Sequence, residues 1–318
     1  MARQQQILII LSFAAIYFIW GSTYLFVAFS VEEIPAFLMA ATRFGLAATL
    51  LYLLIVVFRK QIKVSWTQFK NAALAGFLFL TMGIGCSTWA LQYVDSGLTA
   101  LLIAAQPLVI VLALWVLDRQ RPSNQAFLGV FLGILGMYLL VSQDGIRFDA
   151  NQITALFVIL LGMTSWTIGS IYVGRVDMPS HQMTNNAIQM ASGTFWLLLL
   201  SLLFESPLSF DWTSVSWFVW GSIAYLVVFG AVLAFMAFNY LLTKVSPEKV
   251  ATGTYVNPIV ALFLGWLFRE EVITGQSLVA AGIMLMGVWF INSNRTKRLK
   301  IKEDETMLKT KSLDQNKD

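Results

Sequence analysis

Residues 97–117 read GLTALLIAAQPLVIVLALWVL, and residues 248–268, 151 positions further on, read EKVATGTYVNPIVALFLGWLF. Each run has about the 20 residues that a helix needs to cross a hydrocarbon layer roughly 30 Å thick. Each carries a proline about ten residues in, preceded by a side-chain amide: Gln106-Pro107 and Asn257-Pro258. Working outward, Leu91 to Ser142 aligns without a gap on Leu242 to Ser293, matching Val94 with Val245, Ala100 with Ala251, Trp115 with Trp266, Gln125 with Gln276 and Gly136 with Gly287. An offset of 146 pairs Trp20 with Trp166 and Trp66 with Trp212, so the halves correspond along most of their length. Each half holds five apolar runs. Five is odd, so the second copy enters from the opposite side of the membrane. Two copies related in this way are the architecture of secondary transporters.

Composition agrees. The 318 residues are 58% hydrophobic and only 12% charged, with a mean hydropathy of +0.73, whereas soluble domains carry about 25% charged residues. A water-soluble enzyme is excluded, and continuous apolar runs exclude a β-barrel, whose strands alternate over about 10 residues. Spans are predicted near 7–29, 36–58, 71–92, 97–117, 124–141, 152–174, 183–204, 214–241, 248–268 and 273–291. The first outlasts the roughly 7–15-residue core of a signal peptide, and no small-residue cleavage pattern follows it, so it reads as a retained span. With the N-terminus inside, short cytoplasmic loops collect Arg59, Lys60, Lys63, Lys70, Arg119, Arg121, Arg175, Lys244 and Lys249, and the tail adds more. Outside loops hold only Arg147 and Arg269, so both termini are expected in the cytoplasm of a cell-membrane protein. The net charge of +4 is then topological and calls for no nucleic-acid partner.

The sequence therefore predicts an all-α, polytopic membrane protein with ten transmembrane helices in two inverted five-helix repeats, 7–143 and 152–292. A short N-terminus (1–6) precedes them, and a basic tail (293–318), expected to be disordered, follows. Several stretches resemble the drug/metabolite transporter superfamily: Trp20-Gly21-Ser22-Thr23, Pro35 to Arg43-Phe44, Ala90-Leu91-Gln92-Tyr93, and Val256-Asn257-Pro258 with Gly265 to Glu270. More narrowly, the chain is similar to EamA-type permeases, with two EamA repeats over about residues 8–292. The resemblance implies an alternating-access exporter of small metabolites or amino acids; multidrug efflux and a receptor or scaffold are the rival functions. The acid that often follows the fourth and ninth spans in that family is present as Glu270 and Glu271, but Arg119 and Gln120 stand at the first-half positions.

Proline within a span frees the carbonyl four residues earlier, and Pro107 and Pro258 fall about 15 Å deep, so they are candidate hinges. Gln106 and Asn257 then either bond neighbouring helices or meet a solute. Trp20, Ser22 and Thr23 in the first span, and Trp166 and Thr167 in the sixth, are candidate lining groups. The tryptophans lie away from span ends, where the interfacial belt would place them, while hydroxyls also serve close packing. Trp89, Tyr240 and Tyr255 either line the same cavity or pack in the core. Arg43 sits about 10 Å below the outer edge. It either snorkels outward or pairs with Glu32, Glu33 or Asp95, or else its fork receives a substrate carboxylate. Gln189 occupies its position in the second half.

One histidine, His181, and one cysteine, Cys86, cannot build a metal site. Phosphate-binding glycine loops and catalytic sets are absent from the sequence, so neither an enzyme activity nor a cofactor is expected. Gly129 and Gly133 form a GxxxG step, suited to packing within the chain or to a weak homodimer. Small relatives in the superfamily that this chain resembles export cationic drugs against protons with a first-span glutamate, whereas Ile7 to Phe29 contains no acid; the resemblance therefore implies facilitated diffusion or exchange of neutral or zwitterionic solutes over proton antiport of cations.

Overall fold

The computed structural model describes residues 2–58, 63–119, 124–142, 149–244, 253–287 and 289–290, and these are helical with no strand among them. Seven helices are long and apolar enough to cross a membrane: α1 (Gln4–Glu33), α2 (Ala36–Val57), α3 (Trp66–Ala90), α4 (Ser96–Leu117), α6 (Ala150–Val173), α7 (Gln182–Phe204) and α8 (217–244, apolar over Trp217–Phe238). Three others are apolar and shorter: α5 (Asn124–Val141), α9 (Gly253–Arg269) and α10 (Gly275–Gly287). The predicted spans fall on these helices. The basic tail, Gln120, Arg121, Lys249 and the side chains of Pro107 and Tyr255 lie outside what is described.

The chain divides into two units, residues 1–106 with 144–273, and residues 107–143 with 274–318. In the first, α2 is the central helix. Its Ala36, Met39, Ala40, Ala41, Phe44, Ala47 and Leu51 are buried against Val27 and Ala28 of α1, Met190 and Leu197 of α7, and Ile223 and Leu226 of α8. Small residues let these backbones approach closely, as helix association in lipid requires. A Cβ at Gly45 would lie 3.2 Å from Thr194, and one at Gly21 would lie 2.7 Å from Val260 Cβ. In the second unit the GxxxG step packs within the chain: Gly133 faces Leu108, and the carbonyl of Gly129 lies 2.6 Å from where a Cβ at Gly287 would stand. Gln276 Nε2 donates to the carbonyl of Leu139 at 2.8 Å.

Helix starts follow from capping. Ser65 and Gln68 form a reciprocal box before α3, as do Asp149 and Gln152 before α6, and Ser216 Oγ accepts from Val219 N before α8. Each satisfies amides that the first turn leaves unpaired. Trp66 and Trp217 thus open equivalent helices 151 positions apart, so the helix starts match Trp66 to Trp217 instead of the Trp212 paired with it by the 146 offset. Each helix then widens into an eight-residue π stretch, Phe77–Ile84 in α3 and Leu226–Leu233 in α8. Arg119 and Glu270, also 151 apart, both take left-handed φ, 52° and 55°. The two prolines behave differently. α4 breaks at Ala105 and resumes at Gln106, where Pro107 sits in a first turn that needs no donor. Pro258 lies inside the continuous α9.

Candidate functional site

The polar residues of α1 meet α8 where α8 is in π form. Trp20 Nε1 donates to the carbonyl of Gly230 at 3.4 Å, within the π segment of α8. Ser22 Oγ donates to Ile19 O at 2.8 Å and lies 2.7 Å from the hydroxyl of Tyr225. Thr23 Oγ1 donates back to Trp20 O at 2.6 Å. Phe238 flanks Trp20 with ring centroids 5.2 Å apart, and Phe26 flanks Tyr225 at 4.2 Å. Counting along the helices, Thr23 lies roughly 15 Å from the Glu33 end of α1, and Trp20 and Gly230 roughly 20 Å from their helix ends on that side. The cluster is at middle depth in a 30 Å layer.

Arg43 enters this cluster from α2. It is 6% exposed, and its Nε has no hydrogen-bond partner. Snorkelling toward the near edge and pairing with an acid there are both overturned. The guanidinium instead reaches inward: a Cβ at Gly230 would lie 3.0 Å from Nη2, and Cζ stands 5.0 Å from the centre of the Phe44 ring. The acids proposed as partners are engaged elsewhere. Glu32 pairs with Arg269. Glu33 accepts from Ser216 N at 2.6 Å and Ser216 Oγ at 2.7 Å. Asp95 stands beside Glu271 and Arg269; burial raises its carboxyl pKa, as does the charge of Glu271, with Arg269 opposing.

Other candidates fall in separate places. Gln106 Nε2 donates to Met163 O at 2.9 Å and to Thr167 Oγ1 at 2.5 Å, so this amide and the fully buried Thr167 join α4 to α6. Trp166 packs on Phe79 at 4.8 Å, beside a bond from Ser165 Oγ to Leu78 O in the π stretch of α3. Gln189 is buried, its Nε2 bonded to Asn185 and its Oε1 without a partner. Asn257 is half-buried on α9, and its carbonyl lies 3.1 Å from where a Cβ at Gly21 would stand. Tyr240 faces Lys244, ten residues past Gly230 along α8. Trp89 lines a different cavity of about 470 Å³ at the Glu33–Pro35 end, with Glu32, Tyr93, Glu205 and Phe210.

Sequence reasoning missed Tyr225 and Gly230, whose apolar surroundings gave no signal. It also missed three carboxylates that cap helices remote in sequence. Glu33 caps α8. Glu205 accepts from Phe37 N at 2.7 Å and Leu38 N at 2.9 Å at the start of α2. Glu271, 9% exposed, accepts from Ser96 N and Oγ and from Gly97 N at the start of α4. Where the helix is preceded by Pro35 or by an uncapping Asp95, the acid from elsewhere supplies the missing acceptor. No group of histidine, cysteine or acidic residues suited to a metal occurs among the described residues.

These features define a polytopic helical membrane protein with a buried polar cluster at mid-depth, the anatomy of a transporter. The model of the EamA-like transporter family matches twice, over residues 7–142 and 153–293, and the chain belongs to that family. It is 34% identical to the "Uncharacterized inner membrane transporter YedA" of Escherichia coli strain K12, over 86% of this chain and 87% of that one. It is 23% identical to the "Uncharacterized transporter YoaV" of Bacillus subtilis strain 168, over 92% and 99%. A solved crystal structure with 18% identity superposes at a TM-score of 0.63, covering 91% of this chain and 97% of that one. The protein is thus a membrane transporter and not an enzyme.

Proposed function

We propose that this transporter is a ten-span permease of two inverted repeats, 7–143 and 152–292, that exports small amphipathic metabolites or amino acids across the cytoplasmic membrane by alternating access. The observation that carries the reading is the mid-depth cluster of Trp20, Ser22, Thr23, Tyr225 and Arg43, built by helices of both halves. Matched capping serines, π stretches and left-handed turns in the two halves support the repeat. The break at Ala105, before Pro107, supports a hinge there; Pro258, at the matching position of the second half, lies inside the continuous α9 and is proposed as the second hinge. We assign Trp166, Thr167 and Gln189 to the related surface of the second half, and Asn257 and Tyr240 to the path beyond it. Both termini are cytoplasmic, so Glu33, Glu205 and Glu271 lie on the outer side.

Purified protein in liposomes, offered a metabolite panel with and without a pH gradient, tests the function. Gradient-independent flux or exchange of neutral and zwitterionic solutes is expected, reduced at least severalfold by Trp20→Ala with insertion intact. Reporter fusions at Glu32, Asp95, Asp149 and Asp211 should lie outside, and those at Lys63 and His181 inside. A fusion after Asn294 that reports outside would break both the span count and the inversion.

A further inference from the structure

Among the described residues, Arg43 is a buried cation with no counter-ion. A guanidinium does not shed its proton at working pH, and an isolated charge at this depth is disfavoured unless something compensates it. Among the described residues, the compensation is not an acid: Glu32 is held by Arg269, Glu33 by Ser216, Glu205 by Phe37 and Leu38, and Glu271 by Ser96 and Gly97. Nor is it the neighbouring hydroxyls. Those of Ser22 and Thr23 bond within α1 and to Tyr225, and the indole of Trp20 is turned to Gly230.

We propose that Arg43 receives the carboxylate of an amphipathic organic anion or zwitterion, which acts as the missing counter-ion. The inference rests on the permease reading above and names the solute class of that same site. Three observations shape it. The fork is directed to mid-depth, where a solute crossing by alternating access must pass. Position 230 carries no side chain, and a Cβ there would crowd both Nη2 and Thr23 Cγ2 at 3.0 Å, so glycine is what lets the guanidinium reach in against the backbone of α8. The surrounding surface is aromatic: Phe44 under the guanidinium, with Trp20, Tyr225 and Phe238 in the same cluster. A planar fork matches a carboxylate with two parallel hydrogen bonds, and the rings accept the apolar remainder of the solute. An organic amine finds the opposite, because its charge would face a cation with no acid in contact.

The test uses the full chain and three probes of nearly one shape: 3-phenylpropionate, 3-phenylpropionamide and phenethylamine. Binding is measured by calorimetry, and flux by counterflow in proteoliposomes. The carboxylate is expected to bind wild-type protein about tenfold or more tighter than the amide or the amine, the scale of a charge-assisted hydrogen bond. Arg43→Gln should erase that preference, and Arg43→Lys should keep part of it. Amide or amine binding within twofold of the carboxylate, or binding of none of the three, overturns the proposal, and this wild-type comparison decides even if the variants do not fold. Flux with a preference for amines would leave the permease reading standing and sink this one. Carboxylate-selective binding with no flux of any solute would do the reverse.

Discussion

Glu271 gives the sharpest test of how this fold is held. It lies just beyond α9 and caps α4 with both carboxylate oxygens: Oε1 accepts from Ser96 N at 3.0 Å and Ser96 Oγ at 2.7 Å, and Oε2 accepts from Gly97 N at 3.0 Å. Asp95, the residue placed to cap this helix, makes no capping bond. Glu271→Ala therefore leaves two buried helix-start amides with no acceptor. At about 1–3 kcal/mol for each buried donor stranded in this way, with some relaxation, the loss is about 3–5 kcal/mol. Glu271→Gln is gentler and differently shaped. Its carbonyl oxygen retains the Ser96 bonds, but its amide presents N–H to the N–H of Gly97, and about 2 kcal/mol is expected to be lost. The neighbouring Glu270→Ala removes an exposed acid and should stay within about 0.5 kcal/mol. Unfolding of each purified variant by titration with SDS in mixed micelles, followed by tryptophan fluorescence, measures the series. Alanine at 271 behaving like alanine at 270 would refute the capping role, and glutamine as damaging as alanine would show that charge, not acceptor geometry, is what α4 requires.

Three further outcomes follow from other contacts. Because the folded protein raises the pKa of Asp95, the folded state holds that proton more tightly than the unfolded one, so stability falls as pH rises above about 3.9 through the folded value. Asp95→Asn should raise stability at pH 7 and lose its advantage below about pH 4, as unfolding at the two pH values will read. Gly76 packs its Cα against the backbone of Gln189, which cannot yield, whereas Gly221 has nothing within 4 Å. Gly76→Ala should cost about 3 kcal/mol or more, while Gly221→Ala, in a helix, should gain about 0.5–1 kcal/mol; equal effects in the unfolding assay would contradict the packing. Gln106→Ala removes the α4–α6 bonds and should lower stability by about 1 kcal/mol, with its transport defect rescued by stabilising conditions if the role is packing alone.

The helices were legible because polar breaks are scarce in so apolar a chain. Asp95-Ser96-Gly97 was enough to separate two spans, and Asn124–Val141 was found to the residue. Position along the chain also located most of the mid-depth cluster, since Trp20 and Arg43 are conspicuous in apolar runs. What the chain pattern could not give was direction. A long arginine side chain can reach either way from its Cα, and which way it reaches depends on Gly230, 187 residues distant. The same applies to Trp89, which periodicity allows beside the mid-depth cluster but which the fold turns to a pocket at the Glu33–Pro35 end. The π stretches were equally invisible, because widening a helix alters no residue type, although the carbonyls of Gly230 and Leu78 that Trp20 and Ser165 reach both lie within them.

The two halves also separate what the scaffold needs from what it does not. Backbone devices recur at nearly constant spacing: the capping serines at 65 and 216, the π stretches that follow them, and the left-handed residues 119 and 270. Charges do not recur. Gln189 stands where Arg43 would be repeated, and Gln120 stands where Glu271 would be. Both unmatched charges are buried, yet they differ in kind. Glu271 has three donors and so accounts for itself within the protein. Arg43 has an unpartnered Nε and, among the described residues, no acid, while a neutral residue serves at the corresponding depth of the other half, so folding does not explain the charge. A buried cation that the scaffold neither needs nor neutralises is accounted for when a solute of opposite charge completes it.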